Sequence, residues 1–295
     1  MRKTKRFTPQ TLERFKKNRR GCGIYSSYMA WHQVTRGDPS SRGLSHIQRL
    51  NERQVDLLSN GELVCLYFAS MLPDLIDVRE QFPLSLHISR HELYQYDSNV
   101  CEDFPGTVDL AKELGVKHPM THGGGESTNW IISTDLLLTL DESGSKKMLA
   151  ISVKALEKLT NRKHELLSIE RAYWQKRHVE WILITPSEFD QRVALRLRDT
   201  APWGLGIKSS YDELKMASEV SFEMQGQPLQ NVLSKLTLRL YSHEVAQRAF
   251  WQGVWSGKIL LDLRRGWRPH EPIQLLTVEE FSELNPILAM RTRWI

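Results

Sequence analysis

Residues 133–155 read STDLLLTLDESGSKKMLAISVKA, two apolar runs joined by a short polar segment. The spacing predicts two strands, Trp130–Leu140 and Lys147–Ala155, connected by the turn-forming stretch Asp141-Glu142-Ser143-Gly144-Ser145. With the turn centred near Gly144, Asp135 lies nine residues before it and Lys154 ten after, so the two are neighbours at the open end of the hairpin. Directly opposed residues there have Cβ atoms about 4.5–5.5 Å apart. Ser152 and Lys154 share a face, because side chains alternate along a strand. A carboxylate and an ammonium therefore meet at the rim of an otherwise apolar sheet. Spacing alone allows two readings. One is a cross-strand ion pair of the common kind, which contributes little. The other is a phosphodiesterase site, in which the carboxylate holds a hard divalent cation and the lysine orients the attacking water and balances phosphate charge.

Upstream of the hairpin, Ser59 followed by Glu62 forms a helix-start signature, with Leu58 and Leu63 at the hydrophobic-staple positions. The helix is expected to run to about Met71 and stop before Pro73. Glu62 fits a purely local capping role, since a glutamate is favoured three residues into a helix. A carboxylate in the first turn of a helix packed on the sheet also has the option of facing the hairpin rim. Leu75–Phe82 reads as a strand with Ile76 and Val78 on one face and Asp77 and Arg79 on the other. Leu84 to Asn129 is irregular except for a helix near Val108–Leu114. Asn161–Arg177 reads as a long helix and Val179–Thr185 as a strand closed by Pro186. The order helix, strand, strand, strand, helix, strand is that of an α/β core with a mixed sheet.

The flanks differ from this core. Residues 1–50 read as a basic, loop-rich arm. Its first 20 residues carry Arg2, Lys3, Lys5, Arg6, Arg14, Lys16, Lys17, Arg19 and Arg20 against the single acid Glu13. Such a segment either gains phosphate contacts through counterion release or is a solvated tail. Residues 51–185 form the expected core and residues 186–295 a C-terminal, mainly helical domain. In the latter, Ser242–Ser256 reads as a helix, Gly257–Leu263 as a strand and Thr277–Leu284 as a short helix, a winged-helix-like order. Trp251, Trp255, Trp267, Arg264, Arg265 and Arg268 are residue types enriched at interfaces, which suits a partner-docking domain, although the tryptophans equally suit a small core.

At 295 residues, 40 % hydrophobic and 25 % charged, the chain has ample material for a folded core, which excludes global disorder. A net charge of +5 points mildly to an acidic partner such as nucleic acid. Cys22, Cys65 and Cys101 form neither a zinc spacing nor a disulfide framework, consistent with a reducing, cytoplasmic setting. No apolar run is long enough to cross a bilayer, and no apolar segment of secretory-signal type follows the basic N-terminus.

Five ordered blocks resemble the TnsA endonuclease family. They are Leu58–Leu63; Asp77-Val78-Arg79-Glu80-Gln81-Phe82-Pro83-Leu84; Gly115-Val116-Lys117-His118-Pro119 with Ser133-Thr134-Asp135; Ile151-Ser152-Val153-Lys154; and Ile169-Glu170-Arg171-Ala172-Tyr173-Trp174. Together they span about residues 55–185. The resemblance implies a restriction-endonuclease-like, PD-(D/E)XK fold and a magnesium-dependent DNA endonuclease, with manganese as a substitute ion. Such an enzyme cuts the 5′ strands at transposon ends as one subunit of a cut-and-paste transposase in a bacterial cytoplasm. Its partners would be double-stranded DNA, a TnsB-like transposase and a TnsC-like ATPase regulator. Carried onto this sequence, the family's catalytic residues are Glu62, Asp135 and Lys154, and its metal ligands are Glu62, Asp135 and the main-chain carbonyl of Val153. Glu170 matches a further acidic position. Ser152 departs from the pattern, because the residue two before the lysine is usually acidic, and this leaves the number of bound ions open. Two other readings stand beside this one: a stand-alone restriction or repair nuclease, and a non-catalytic DNA-binding assembly subunit.

Overall fold

The computed structural model describes residues 7–35, 44–50, 52–155, 160–265 and 268–294. In chain order the elements are α1 (Pro9–Lys17), β1 (His46–Leu50), β2 (Arg53–Leu57), α2 (Asn60–Ser70), β3 (Leu75–Pro83), β4 (Ser89–Arg90), β5 (Asp103–Phe104), α3 (Thr107–Glu113), β6 (Met120–Gly123), β7 (Glu126–Asn129), β8 (Ser133–Glu142), β9 (Ser145–Val153), α4 (Asn161–Lys176) and β10 (Glu180–Ile184). Helices α5 (Gln191–Gly204), α6 (Tyr211–Glu223), α7 (Leu229–Leu240), α8 (His243–Trp255) and α9 (Val278–Ser282) follow. Two compact units result. The first gathers residues 1–63 and 74–183 with Trp294; the second gathers residues 64–73 and 184–293.

In the first unit a four-stranded sheet runs in the order β10-β9-β8-β3. Strand β8 is antiparallel to both β3 and β9, while α4 carries the chain from β9 back to β10, which makes the sheet mixed. This is the α/β core read from the sequence. The hairpin closes through a two-residue turn with Ser143 at φ 55° and Gly144 at φ 94°. Both central residues are left-handed, as a type I′ turn demands, and that turn locks the pairing from Glu142↔Ser145 to Leu136↔Ile151. Continued one step, the register sets Asp135 level with Ser152.

Strand β3 is less regular than its sequence suggests. Its polar residues face no solvent: Asp77 and Arg79 are both buried. The backbone amide of Tyr25 donates to Asp77 Oδ2 at 2.8 Å, and the Tyr96 hydroxyl donates to the same oxygen. The Arg79 guanidinium lies 4.5 Å from the Phe82 ring centroid, although strict alternation puts residues three apart on opposite faces. The break is at Gln81, whose φ is 47°.

Parts of the segment read as a loop-rich arm are ordered. Thr8 caps α1 and Pro9 sits in its first turn, while Leu12 and Phe15 are buried with Trp31 and Ile131. Arg20 covers the Phe15 ring at 3.9 Å. Strands β1 and β2 form a hairpin. Neither α1 nor this hairpin is among the elements read from the sequence, although Leu12 and Phe15, three residues apart, do mark one apolar face of α1. Arg2, Lys3, Lys5 and Arg6 lie outside the described residues.

The second unit is a helical assembly around α8. Trp251 and Trp255 are core residues here, 1 % and 4 % exposed, so they offer no aromatic surface. Trp255 Nε1 donates to Ser70 Oγ at 2.8 Å, and a Cβ on Gly204 would come within 2.4 Å of its ring. Trp267 lies outside the described residues. The strand expected at Gly257–Leu263 is reduced to one antiparallel bridge, Leu261↔Leu275, flanked by the bonds Asp262 N to Gln274 O and Leu276 N to Leu260 O, each 2.8 Å. Thr277 and Glu280 form the capping box of α9. No helix among the described residues is long and apolar enough to cross a membrane.

Candidate active site

The site is built on the open end of the β8–β9 hairpin. Asp135 Oδ2 accepts from Val153 N and from Lys154 Nζ, each at 2.7 Å. The carboxylate is therefore fixed by the strand that carries the lysine. Asp135 is buried, whereas the Lys154 side chain keeps about a third of its surface accessible. Burial pulls the Lys154 ammonium down, but Asp135, Glu170 and Glu62 outweigh it and hold the group above its ordinary value. It stays charged at neutral pH.

Glu62 reaches the same place from the first turn of α2. Its Oε1 accepts from Ser59 Oγ at 2.9 Å, while its Oε2 accepts from Leu58 N at 2.8 Å and from Gln81 Nε2 at 3.0 Å. Glu62 N in turn donates to Ser59 Oγ at 3.2 Å. The local cap exists, with its return bond moved one residue back to Leu58, and Glu62 also reaches the rim. Burial, then the charge of Asp135, pushes its pKa up to about 7 against the lowering effect of those donors. Gly61 permits this approach: a Cβ there would stand 2.9 Å from Val153 Cγ1.

Glu170 is not the helix-surface glutamate that its charge suggests. It is buried beneath the hairpin, accepting from Ser152 Oγ and, at 2.8 Å, from Thr134 Oγ1. Trp181 Nε1 donates to Ser152 Oγ at 3.2 Å and Trp174 Nε1 to Thr134 Oγ1 at 2.7 Å. Burial raises the Glu170 pKa, with Lys154 opposing. The sequence did hold a signal for this: Glu170 stands three after Leu167 and four before Trp174, on the buried stripe of α4. Ser152 is wholly buried and its hydroxyl is engaged by Glu170 and Trp181. It therefore seats Glu170.

Sequence reasoning missed Gln81. Its Nε2 donates to Glu62 Oε2 at 3.0 Å and to Asp135 Oδ1 at 3.4 Å, and its Oε1 accepts from Ser133 Oγ at 3.3 Å. The amide is oriented with its Nε2 protons toward the carboxylate oxygens and its Oε1 toward the Ser133 hydroxyl, which donates.

Among the described residues no three His, Cys, Asp or Glu side chains form a ready-made metal cage. The donor set still suits a hard cation. Two desolvated carboxylates share one site, and the charge of one raises the pKa of the other. Mg²⁺ commonly rests on one or two carboxylates and keeps several waters.

Residues 72–186 match the family described as "TnsA-like endonuclease N terminal". That segment carries the likeness to TnsA-type endonucleases. The chain is similar to the transposon Tn7 transposition protein TnsA of Escherichia coli, 27 % identical over 232 residues, which covers 78 % of this chain and 72 % of that protein. The family match encloses Asp135, Ser152, Val153, Lys154 and Glu170, while Glu62 precedes it.

Proposed function

We propose that the chain is a magnesium-dependent DNA endonuclease with Glu62, Asp135 and Lys154 as its catalytic residues. The observation that carries this is their convergence: carboxylates from α2 and β8 and the ammonium after β9 occupy one hairpin rim, tied by Asp135–Lys154 and by Gln81. Glu62, Asp135 and the main-chain carbonyl of Val153 are the groups that would hold the cation, with Mn²⁺ as a substitute. A bound cation would polarise the scissile phosphate and acidify water. The protein's own groups do the rest. Lys154, charged at neutral pH, offsets negative charge growing on the phosphate oxygens. Glu62, whose pKa is pushed up to about 7 in the metal-free site, would give up that proton on taking up the cation. Asp135 keeps Lys154 in place.

The similarity to the Tn7 protein TnsA extends the proposal to the substrate and the assembly. The substrate is double-stranded DNA at transposon ends, cut on the 5′ strand. The partners are a TnsB-like transposase, which handles the other strand, and a TnsC-like ATPase regulator. Strand-specific mapping of cleavage on a labelled transposon-end duplex tests this, using purified partners with and without Mg²⁺. Breaks on the 5′ strand that require Mg²⁺ and disappear with Lys154→Ala are the expected result. Cuts persisting in chelator, or unchanged by Lys154→Ala, would remove the assignment.

A further inference from the structure

Gln81 does two things that a strand residue of its kind has no structural need to do. It adopts φ 47° inside β3, a left-handed conformation that costs a non-glycine residue of order 1 kcal/mol or more. It also buries its amide, 2 % exposed, between two carboxylates that repel one another. Glu62 and Asp135 come from different elements, α2 and β8. Gln81 Nε2 is a donor they have in common, and Ser133 Oγ anchors the far side of the same amide. A neutral group with two protons satisfies an oxygen of each carboxylate without adding charge. A lysine there would neutralise the pair and compete with a cation; a hydrophobe would take the amide donor from Asp135 Oδ1 and leave Glu62 Oε2 with Leu58 N alone.

We infer that Gln81 is a positioning residue of the metal centre: its side-chain amide holds the Glu62 and Asp135 carboxylates at the mutual spacing that a divalent cation requires. The inference rests on the metal-dependent reading of the site. The competing explanation is confined to the backbone. The break at Gln81 brings Phe82 to the same side as Arg79, and that service needs only a residue tolerant of positive φ.

Two substitutions separate these. Gln81→Gly keeps the left-handed backbone at no steric cost and removes the amide. Gln81→Met keeps the length and bulk of the side chain, and the backbone strain, without the donor. Mn²⁺ affinity of the full-length chain is measured by electron paramagnetic resonance without DNA, beside thermal melting. The expected result is that both variants bind Mn²⁺ about 10-fold or more weakly, the scale of losing a partner that orients a metal ligand, while Gln81→Gly melts no lower than wild type. Wild-type affinity in Gln81→Gly would overturn the inference, leaving the residue a backbone role. Should Gln81→Gly melt early, Gln81→Met decides by the same criterion. A wild-type chain that takes up no Mn²⁺ would remove the metal reading itself, and this inference with it. Equal affinities in wild type and variant would remove the inference alone.

Discussion

Lys154 Nζ donates to Asp135 Oδ2 at 2.7 Å across the open end of the β8–β9 hairpin, and the amide of Val153 donates to the same oxygen. A surface ion pair would be worth little, but here one oxygen carries two donors in a largely buried setting. The arrangement fixes the carboxylate before any ligand arrives, which is the preorganisation that electrostatic catalysis depends on.

Asp135→Asn should keep the shape and lose the charge. Cleavage is expected to fall by at least about 10²-fold, the scale of removing one preorganised electrostatic group. The melting temperature should move little, because the replacement amide retains one carbonyl oxygen for Val153 N. Single-turnover cleavage of a labelled duplex measures the first quantity and calorimetry the second. Near-normal rates with Asn would return Asp135 and Lys154 to a structural pair.

Glu62 gives the stability a pH dependence of definite sign. Its folded pKa of about 7 lies above the ordinary carboxylate value of 4.5, so the folded state holds a proton that the unfolded state has released. This contribution is fully present below about pH 4.5 and is lost as pH rises through 7. Each tenfold difference in proton affinity between the two states is worth about 1.4 kcal/mol. Glu62→Gln removes that titration. It is expected to flatten the decline of unfolding free energy between pH 5 and 8 and to abolish cleavage, since an amide is a poor ligand for a hard cation. Urea titrations across this range decide the first point; an unchanged slope would show that Glu62 ionises freely. Metal uptake in wild type should strengthen over the same window, with proton release visible when the heat of binding is compared between buffers.

How far this site was legible depends on which geometry set each residue. Asp135 and Lys154 could be paired from sequence because a two-residue turn fixes every pair behind it. Glu62 could be placed on the first turn of α2, but not brought to the rim, since helix packing on a sheet is a long-range outcome. Glu170 entered the reading through the resemblance alone, although its spacing from Leu167 and Trp174 marks it as inward-facing. Gln81 gave no sign. Its role follows from a positive φ, and nothing in the run Val78-Arg79-Glu80-Gln81-Phe82 encodes one. The same limit applies in the second unit, where Trp251 and Trp255 suited either surface or core and the helices buried them.

Gly61 is expected to set how closely the backbone beside Glu62 approaches Val153. Alanine in a helix is normally favoured over glycine by up to about 1 kcal/mol. Here its Cβ would stand 2.9 Å from Val153 Cγ1, on a β-branched side chain with little freedom to yield. The clash should win, lowering stability by about 1 kcal/mol, a typical overpacking cost, and reducing cleavage more than stability. Val153→Ala removes the obstructing methyl, so the double variant should recover part of the loss. Additive effects of the two changes would show that Gly61 and Val153 do not meet.

The final prediction concerns α1, whose exposed face and following turn carry Arg14, Lys16, Lys17 and Arg19. Lys16 is occupied by Glu13 at 2.8 Å. Removing the first 20 residues would be a poor test of DNA binding, because it deletes Leu12 and Phe15 from a buried cluster with Trp31 and Ile131. Any drop in affinity would then be confounded with loss of fold. Replacing Arg14, Lys17 and Arg19 with Gln keeps the helix, its Thr8 cap and its buried face. If this face follows the DNA backbone, the slope of log affinity against log salt should fall by about 0.9 for each phosphate that is no longer neutralised. The change should be the same for specific and unrelated duplexes, since phosphate contacts carry no sequence information. Affinity measured by fluorescence anisotropy at several salt concentrations, with melting curves as the control, gives the answer. A slope equal to wild type would mean that the positive face of α1 is solvated and that DNA is engaged elsewhere on the unit.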